Sequence, residues 1–353
     1  MTPRPFLLAA ATMTCMAALA PAFAPAHAAD LLYRLTATAT LPSTDTGWDY
    51  IKMEPDSNRL FIARDADGLT VFDVDANKAV TTVADSVGAN GPLLLPQYNR
   101  GYLAMTDGSF LSFELDSLKP IQRLQLDGNG GINSAIHDPL TRRIHAIVGT
   151  RPSESTWYTL DAATGKLLGS KTFPFRKMDD PATDGKGRLF APARRDNLIL
   201  LLDSKTLAER ARWTAPCNVS KVRYQAHSNR LLAACGGDNP MFFALDPDSG
   251  RVVASLPIGN GIDGFAIDEQ RKRIITSNNE GTLTVINQEG PDSYSLAGTV
   301  STRPNARMMT MDERTGRLFV VTAEFTRTPP DGNGETSNRY HPDSFVVLTY
   351  QPQ

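Results

Sequence analysis

Side chains suited to metal or redox chemistry are scarce in this sequence. Its 353 residues include three cysteines and five histidines, with no Cys-x-x-Cys and no His-x-x-x-His pair. Those absences exclude a dithiol redox couple and a helical zinc site, and the lack of a dense Asp run excludes a calcium loop. His137, His145, His227 and His341 fall on separate turns and strands, so they do not read as ligands of one metal. There is no Gly-x-Ser-x-Gly elbow for a hydrolytic nucleophile and no Gly-Lys-Ser/Thr loop to cradle a phosphate. No catalytic residue and no cofactor is indicated. Charge of one sign is also missing. The net charge is −2 and the pI is near 6.2, which opposes the basic footprint of a general nucleic-acid binder. The basic clusters Arg142-Arg143, Arg194-Arg195 and Arg271-Lys272-Arg273 read as solvated turns. Past the N-terminal segment no apolar run is long enough to span a bilayer. No Ser/Gly-rich linker divides the chain, and no segment carries sustained helical periodicity.

Residues 1–28 read as a targeting segment. Arg4 is followed by an apolar stretch over residues 6–20 and an Ala26-His27-Ala28 cleavage pattern. Pro21 and Pro25 interrupt the run, and Thr12-Met13-Thr14 before Cys15 is a poor lipobox. A released periplasmic or secreted protein is therefore expected. Removing the segment takes one arginine from 36 basic residues and leaves 35 against 38 acidic ones, a net of −3. The remainder, residues 29–353, is expected to be one domain.

What the sequence does contain is a repeat. An arginine opens an apolar strand at Arg59, Arg100, Arg143, Arg188, Arg230, Arg273 and Arg317, at intervals of 41, 43, 45, 42, 43 and 44 residues. An acidic or amide residue ends the following strand at Asp75, Asp116, Asp161, Asp203, Asp246 and Asn287, and opens a turn. A fixed period of this length signals an array of supersecondary units. The stretches RLFIARDADGLTVFDVDANKAVTTV and KRIITSNNEGTLTVINQ resemble the repeat of YVTN-type, YncE-like bacterial β-propellers. The resemblance covers the whole chain after residue 28. It implies an all-β, seven-bladed β-propeller. The last unit has only three obvious strands, and a strand over residues 30–41 precedes the first unit. An open ring would leave an exposed sheet edge, so the N-terminal strand is expected to complete the C-terminal blade.

With strands A to D running outward from the channel, strand A is expected at residues 50–53, 93–96, 133–136, 181–183, 221–224, 265–267 and 308–311. The repeated arginines then lie at A–B turns on one face. The D–A connections and B–C hairpins lie on the other face, which usually carries function in propellers. There the candidate ligand-binding residues form a polar ring around the channel mouth: Trp48, Asp49, Asn90, Asn133, Asp179, Asp180, Lys221, Asp263, Arg303, Asn305 and Arg307. Two readings of this ring stand: a binding site for a small polar ligand or a protein loop, or the polar lining that any wet channel requires. Two B–C connections are long, residues 149–155 and 324–343, as binding loops tend to be. Cys217 and Cys235 map to the same face of blade 5. A disulfide between them is expected in an oxidising compartment, with two separate thiols as the alternative. The function expected is that of a non-catalytic binding or scaffold propeller, monomeric, without a nucleic-acid partner and without a membrane span. The alternatives are a channel-mouth enzyme (lactonase, lyase or quinoprotein dehydrogenase-like) and a nucleic-acid-binding YncE-like protein.

Overall fold

The computed structural model describes residues 1–2, 32–45, 47–330 and 336–353. But for its first two residues, the expected targeting segment, with Cys15, lies outside them. Leu32–Gln353 forms one compact unit: seven four-stranded antiparallel sheets set in a ring. Blade 1 shows the pattern, with strands Trp48–Met53, Arg59–Arg64, Gly68–Asp73 and Lys78–Thr82. The inner strands of blades 2 to 7 are Ala89–Leu95, Ile132–Asp138, Ala182–Thr183, Asn218–Gln225, Ile262–Asp268 and Met308–Asp312. All seven expected inner strands are present. Those of blades 1, 2, 3, 5 and 6 begin closer to the mouth than the sequence predicts.

Strand B of each blade lies between two neighbouring blades and is buried on both sides, so it reads as an unbroken apolar run such as Leu60-Phe61-Ile62-Ala63. Strand D meets solvent; Lys78–Thr82 is exposed along its length. The core is accordingly distributed among the blade interfaces. Leu60, Ile62 and Phe72 of blade 1 pack with Phe319, Val321 and Val347 of blade 7. Phe61, Leu69 and Val71 point the other way, onto Leu103, Leu111 and Phe113 of blade 2. Each such side chain contributes roughly 1.5–3 kcal/mol.

The ring closes as expected. Tyr33–Leu41 pairs antiparallel with Phe345–Pro352 and becomes the outermost strand of blade 7. The repeated arginines do more than open a strand. Arg59 donates to both carboxylate oxygens of Glu54 at 2.6 Å and to the Leu115 carbonyl of blade 2 at 2.7 Å. Arg143 reaches the Lys205 carbonyl of blade 4, Arg188 reaches Asp248 of blade 5, Arg230 reaches Asp292 of blade 6, and Arg273 reaches the Leu32 carbonyl. Arg317 returns to Asp75 of blade 1. The repeat thus bolts each blade to the next through a fork suited to two acceptors at once. Arg100 departs from the pattern, with its Nη1 buried and unpartnered. A second correction concerns Asp75. The carboxylate that holds the turn of blade 1 is Asp73, which accepts from the amides of Asp75 and Ala76. Asp161, Asp203 and Asp246 do hold their turns in this way, whereas Asp116 lies beyond a strand that ends at Glu114 and Asn287 lies inside the strand Thr282–Gly290.

Candidate binding site at the channel mouth

Local backbone geometry aims the candidate residues. The pairing of strands A and B shifts register at the mouth end of five blades, leaving Asp49-Tyr50, Asn90, Asn133, Ser220 and Asp263 unpaired. A bulge of this kind bends a strand and re-aims its side chain. Asp49, Tyr50, Asn133 and Asp263 consequently line a cavity of about 500 Å³ at the mouth, together with Lys177, Asp179, Arg194, Asn279, Asn305, Arg307 and Tyr340. Small residues follow three of the bulges because neighbouring inner strands approach closely; a Cβ on Gly91 would lie 2.6 Å from the Asn133 carbonyl oxygen.

The cavity floor is a chain of charges crossing the channel. Arg223 donates to Asp180 at 3.0 Å. Lys221 Nζ lies 2.9 Å from Asp180 and 3.3 Å from Asp263. Arg307 pairs with the far oxygen of Asp263 and donates to the Trp48 carbonyl at 3.4 Å. The Lys221 ammonium also sits over the Tyr50 ring, 4.6 Å from its centroid. On the other side, Asn133 donates to Asp179 at 2.8 Å and to the Tyr50 hydroxyl at 3.3 Å. Asn90 donates to the Ile132 and Asn133 carbonyls. These contacts join all seven blades, blades 4 and 7 through Asp179, Asp180 and Arg307 just before their inner strands.

The charges set one another's protonation. Burial pushes the Asp180 carboxyl up, but Arg223 and Lys221 outweigh it and hold the group at about 2. Burial alone would depress the Lys221 ammonium; Asp180 and Asp263 hold it above the ordinary lysine range. Asp263 is likewise held low against its burial, by Lys221 and Arg307. Asp49 behaves oppositely. Burial and the nearby Asp263 charge push it up to about 7, against the pull of Arg307 and Lys221. Among the described residues no hydrogen bond or ion pair engages the Asp49 carboxyl. The neighbouring Asp179 is 4% exposed and leaves its Oδ1 buried without a partner. Arg194 lines the same cavity and makes no side-chain hydrogen bond or ion pair among the described residues, while its backbone amide bonds the Lys177 carbonyl.

The expected ring residues divide into three groups. Asp49, Asn133, Asp179, Asp263, Asn305 and Arg307 line the mouth cavity. Asp180 and Lys221 lie in the floor, and Asn90 spends its amide tying blade 2 to blade 3. Trp48 and Arg303 are placed elsewhere. The Trp48 indole is 4% exposed and packs against Tyr340 and Phe345 in the core, because consecutive strand residues face opposite ways. Arg303 is exposed in the connection before strand A of blade 7 and does not line the cavity.

Arg194 is a further correction. It does not end as a solvated turn residue, since its turn folds over the channel while Arg195 faces solvent. Of the two long loops, that of blade 7 bears on the mouth. It forms a hairpin, Phe325–Arg327 with Asn338–Tyr340, and the Tyr340 hydroxyl accepts from Asn305 at 2.9 Å. The loop of blade 3 instead sends Arg151 to the Gly131 carbonyl and Asp127 of the preceding connection. Cys217 and Cys235 are bonded, with Cα atoms 5.8 Å apart. No helix among the described residues is long and apolar enough to cross a membrane.

No family model and no curated protein matches the chain. In structure it is similar to a chain of a solved assembly titled "Crystal Structure of Mitotic Checkpoint Complex". That match has a TM-score of 0.69 and 10% identity, and covers 98% of each chain. At that identity the likeness is one of fold alone: this chain is a seven-bladed β-propeller.

Proposed function

We propose that the chain is an exported binding protein of the YncE-like propeller type, non-catalytic, whose channel mouth holds a small ligand bearing both an anionic and a cationic group. One observation carries the reading. One cavity of about 500 Å³ is lined by groups of opposite sign with unspent polar atoms: the Arg194 guanidinium, the Asp49 carboxyl, and Oδ1 of Asp179, whose other oxygen is held by Asn133 and Lys177. The floor beneath spends both its carboxylates on Lys221, Arg223 and Arg307, so they shape the site without competing for a cationic group of the ligand. Buried polar groups left unpaired cost free energy, and a ligand that pairs them recovers it. The disulfide supports export, since such bonds persist in oxidising compartments.

The test is a thermal-shift and calorimetric screen of the purified protein with amino acids and betaines, set beside matched monocarboxylates and simple amines. A ligand at about 100 times its Kd raises stability by roughly 2.7 kcal/mol. Zwitterions should shift Tm where the single-charge compounds do not, and Arg194→Gln should abolish the shift. A panel in which no zwitterion binds would remove this reading. The Asp49 carboxyl, held at about 7 in a cleft, favours one second reading, acid–base catalysis at the same mouth. In that case Asp49→Asn would retain binding and lose turnover of the bound compound.

A further inference from the structure

The channel holds a second cavity, on the opposite side of the charged floor. It encloses about 540 Å³ and opens between Glu269, Gln270 and Glu313 on the face of the A–B turns. Tyr50 and Asp263 border both cavities, so the floor separates them. Leu93, Ala135, Phe265, Ile267, Met308 and Met309 give the walls their apolar part, beside the polar Ser134, Thr310 and Gln270. Two cations project between these walls. Lys52 is accessible to water yet surrounded by protein, as a side chain inside a channel must be. Among the described residues no hydrogen bond or ion pair holds its ammonium. Arg223 commits one nitrogen, Nη1, to Asp180 and the Val222 carbonyl. Its remaining donors make no hydrogen bond among the described residues.

The acids at the rim do not answer these charges. Glu269 is engaged by Gln225 and by His227, each at 3.0 Å. Glu313 is exposed and lies beyond ion-pair distance of Lys52. Burial pushes the Lys52 ammonium below the ordinary lysine range. Next to burial, its strongest influence is Arg223, which repels it, ahead of Asp180 and Glu313, which attract it. Lys52 and the free nitrogens of Arg223 are thus the cationic positions that this cavity leaves open.

From these observations we infer that the lower channel is a binding site for an amphipathic anion, a carboxylate on an aliphatic body, whose head group lies between Lys52 and Arg223 and whose tail lies along Leu93, Phe265 and Ile267. The volume falls in the range of about 300–1,000 Å³ usual for small-molecule sites. A carboxylate suits the two cations because charge-assisted hydrogen bonds are stronger than neutral ones.

The experiment is calorimetric titration of the purified protein with octanoate, octanol and octylammonium. Octanoate should bind with one-to-one stoichiometry, octanol about tenfold or more weakly, and octylammonium not at all. Lys52→Met removes the unpartnered charge and keeps the side-chain length. It should lower octanoate affinity about tenfold or more while leaving the ligand-free Tm unchanged or higher. Failure of octanoate to bind overturns the proposal, as does tighter binding of octylammonium. Octanoate binding that survives Lys52→Met but is lost in Arg194→Gln would place the anion at the mouth and overturn it as well.

Discussion

Reduction of the Cys217–Cys235 bond isolates one structural element whose contribution can be worked out in advance. The cysteines are 18 residues apart. By loop-closure entropy, a cross-link over that span lowers the entropy of the unfolded chain by roughly 11 cal/mol/K, which stabilises the fold by about 3 kcal/mol at 25 °C. An unfolding entropy of about 2.1 cal/mol/K per residue, taken over Leu32–Gln353, converts this to a fall in Tm of about 4–5 °C. Reduction is the cleaner perturbation because both sulfur atoms stay in place. Cys235 is fully buried beside Val219, Val222 and Phe243, so Cys235→Ala would add a packing loss of about 1 kcal/mol or more. The assay is differential scanning calorimetry of the oxidised protein against the protein held reduced by excess phosphine. The bond also fixes the strand that carries Lys221, four residues after Cys217. Weaker ligand binding at the mouth should therefore accompany the lower Tm. A reduced protein melting within 1 °C of the oxidised one would refute the chain-entropy reasoning.

Three further outcomes follow from the site and the ring. Lys221→Met leaves Asp180 and Asp263 facing each other without their shared cation and should cost about 3 kcal/mol in denaturant unfolding; the triple variant Asp180→Asn/Lys221→Met/Asp263→Asn should recover much of that loss. Asp49 binds a proton in the folded state that it has lost in the unfolded state between pH 3.8 and about 7, so its contribution is fully favourable below that window and is lost as pH rises through it. Asp49→Asn should match the wild type at pH 4 and exceed it at pH 8 by roughly 1–2 kcal/mol, less than the bare shift implies because solvent reaches the carboxyl; equal stabilities at pH 8 would contradict this. Arg59→Lys loses the fork on Glu54 and the bolt to Leu115, at about 1–2 kcal/mol, whereas Arg100→Lys should change stability by less than about 0.5 kcal/mol, as a chevron or equilibrium melt would report.

The blades were legible because each is written in residues close together in the chain. The arginine that opens strand B, the apolar run behind it and the carboxylate that closes the next turn repeat at almost constant spacing. The cysteine pair was legible for a similar reason: both positions could be mapped within one repeat. Ring closure could also be read, since a three-stranded last unit and a spare first strand require each other. Even the error at Asp75 is local. Asp73 and Asp75 are both near the strand end, and only the backbone amides that bond to Asp73 decide between them.

The mouth was legible only in part, because its contents depend on bulges that the repeat does not show. Alternation along a regular strand would send Asp49 and Tyr50 to opposite faces. The register shift between Trp48 and Ile51 lets both line the cavity and leaves Trp48 in the core. Arg194 and Tyr340 reach the mouth from a hairpin and a loop. Their sequence context, Arg194-Arg195-Asp196-Asn197 and Asn338-Arg339-Tyr340, is that of any surface turn. The same limit applies to Lys52 and Arg223, which belong to blades 1 and 5 and meet only across the closed ring. One variant separates the two ends of the channel. Lys52→Met should alter carboxylate binding below the floor and leave zwitterion binding above it intact, because the Asp180–Lys221–Asp263–Arg307 chain between them does not include Lys52. Loss of both bindings in that variant would mean that the floor transmits between the cavities and that they act as one site.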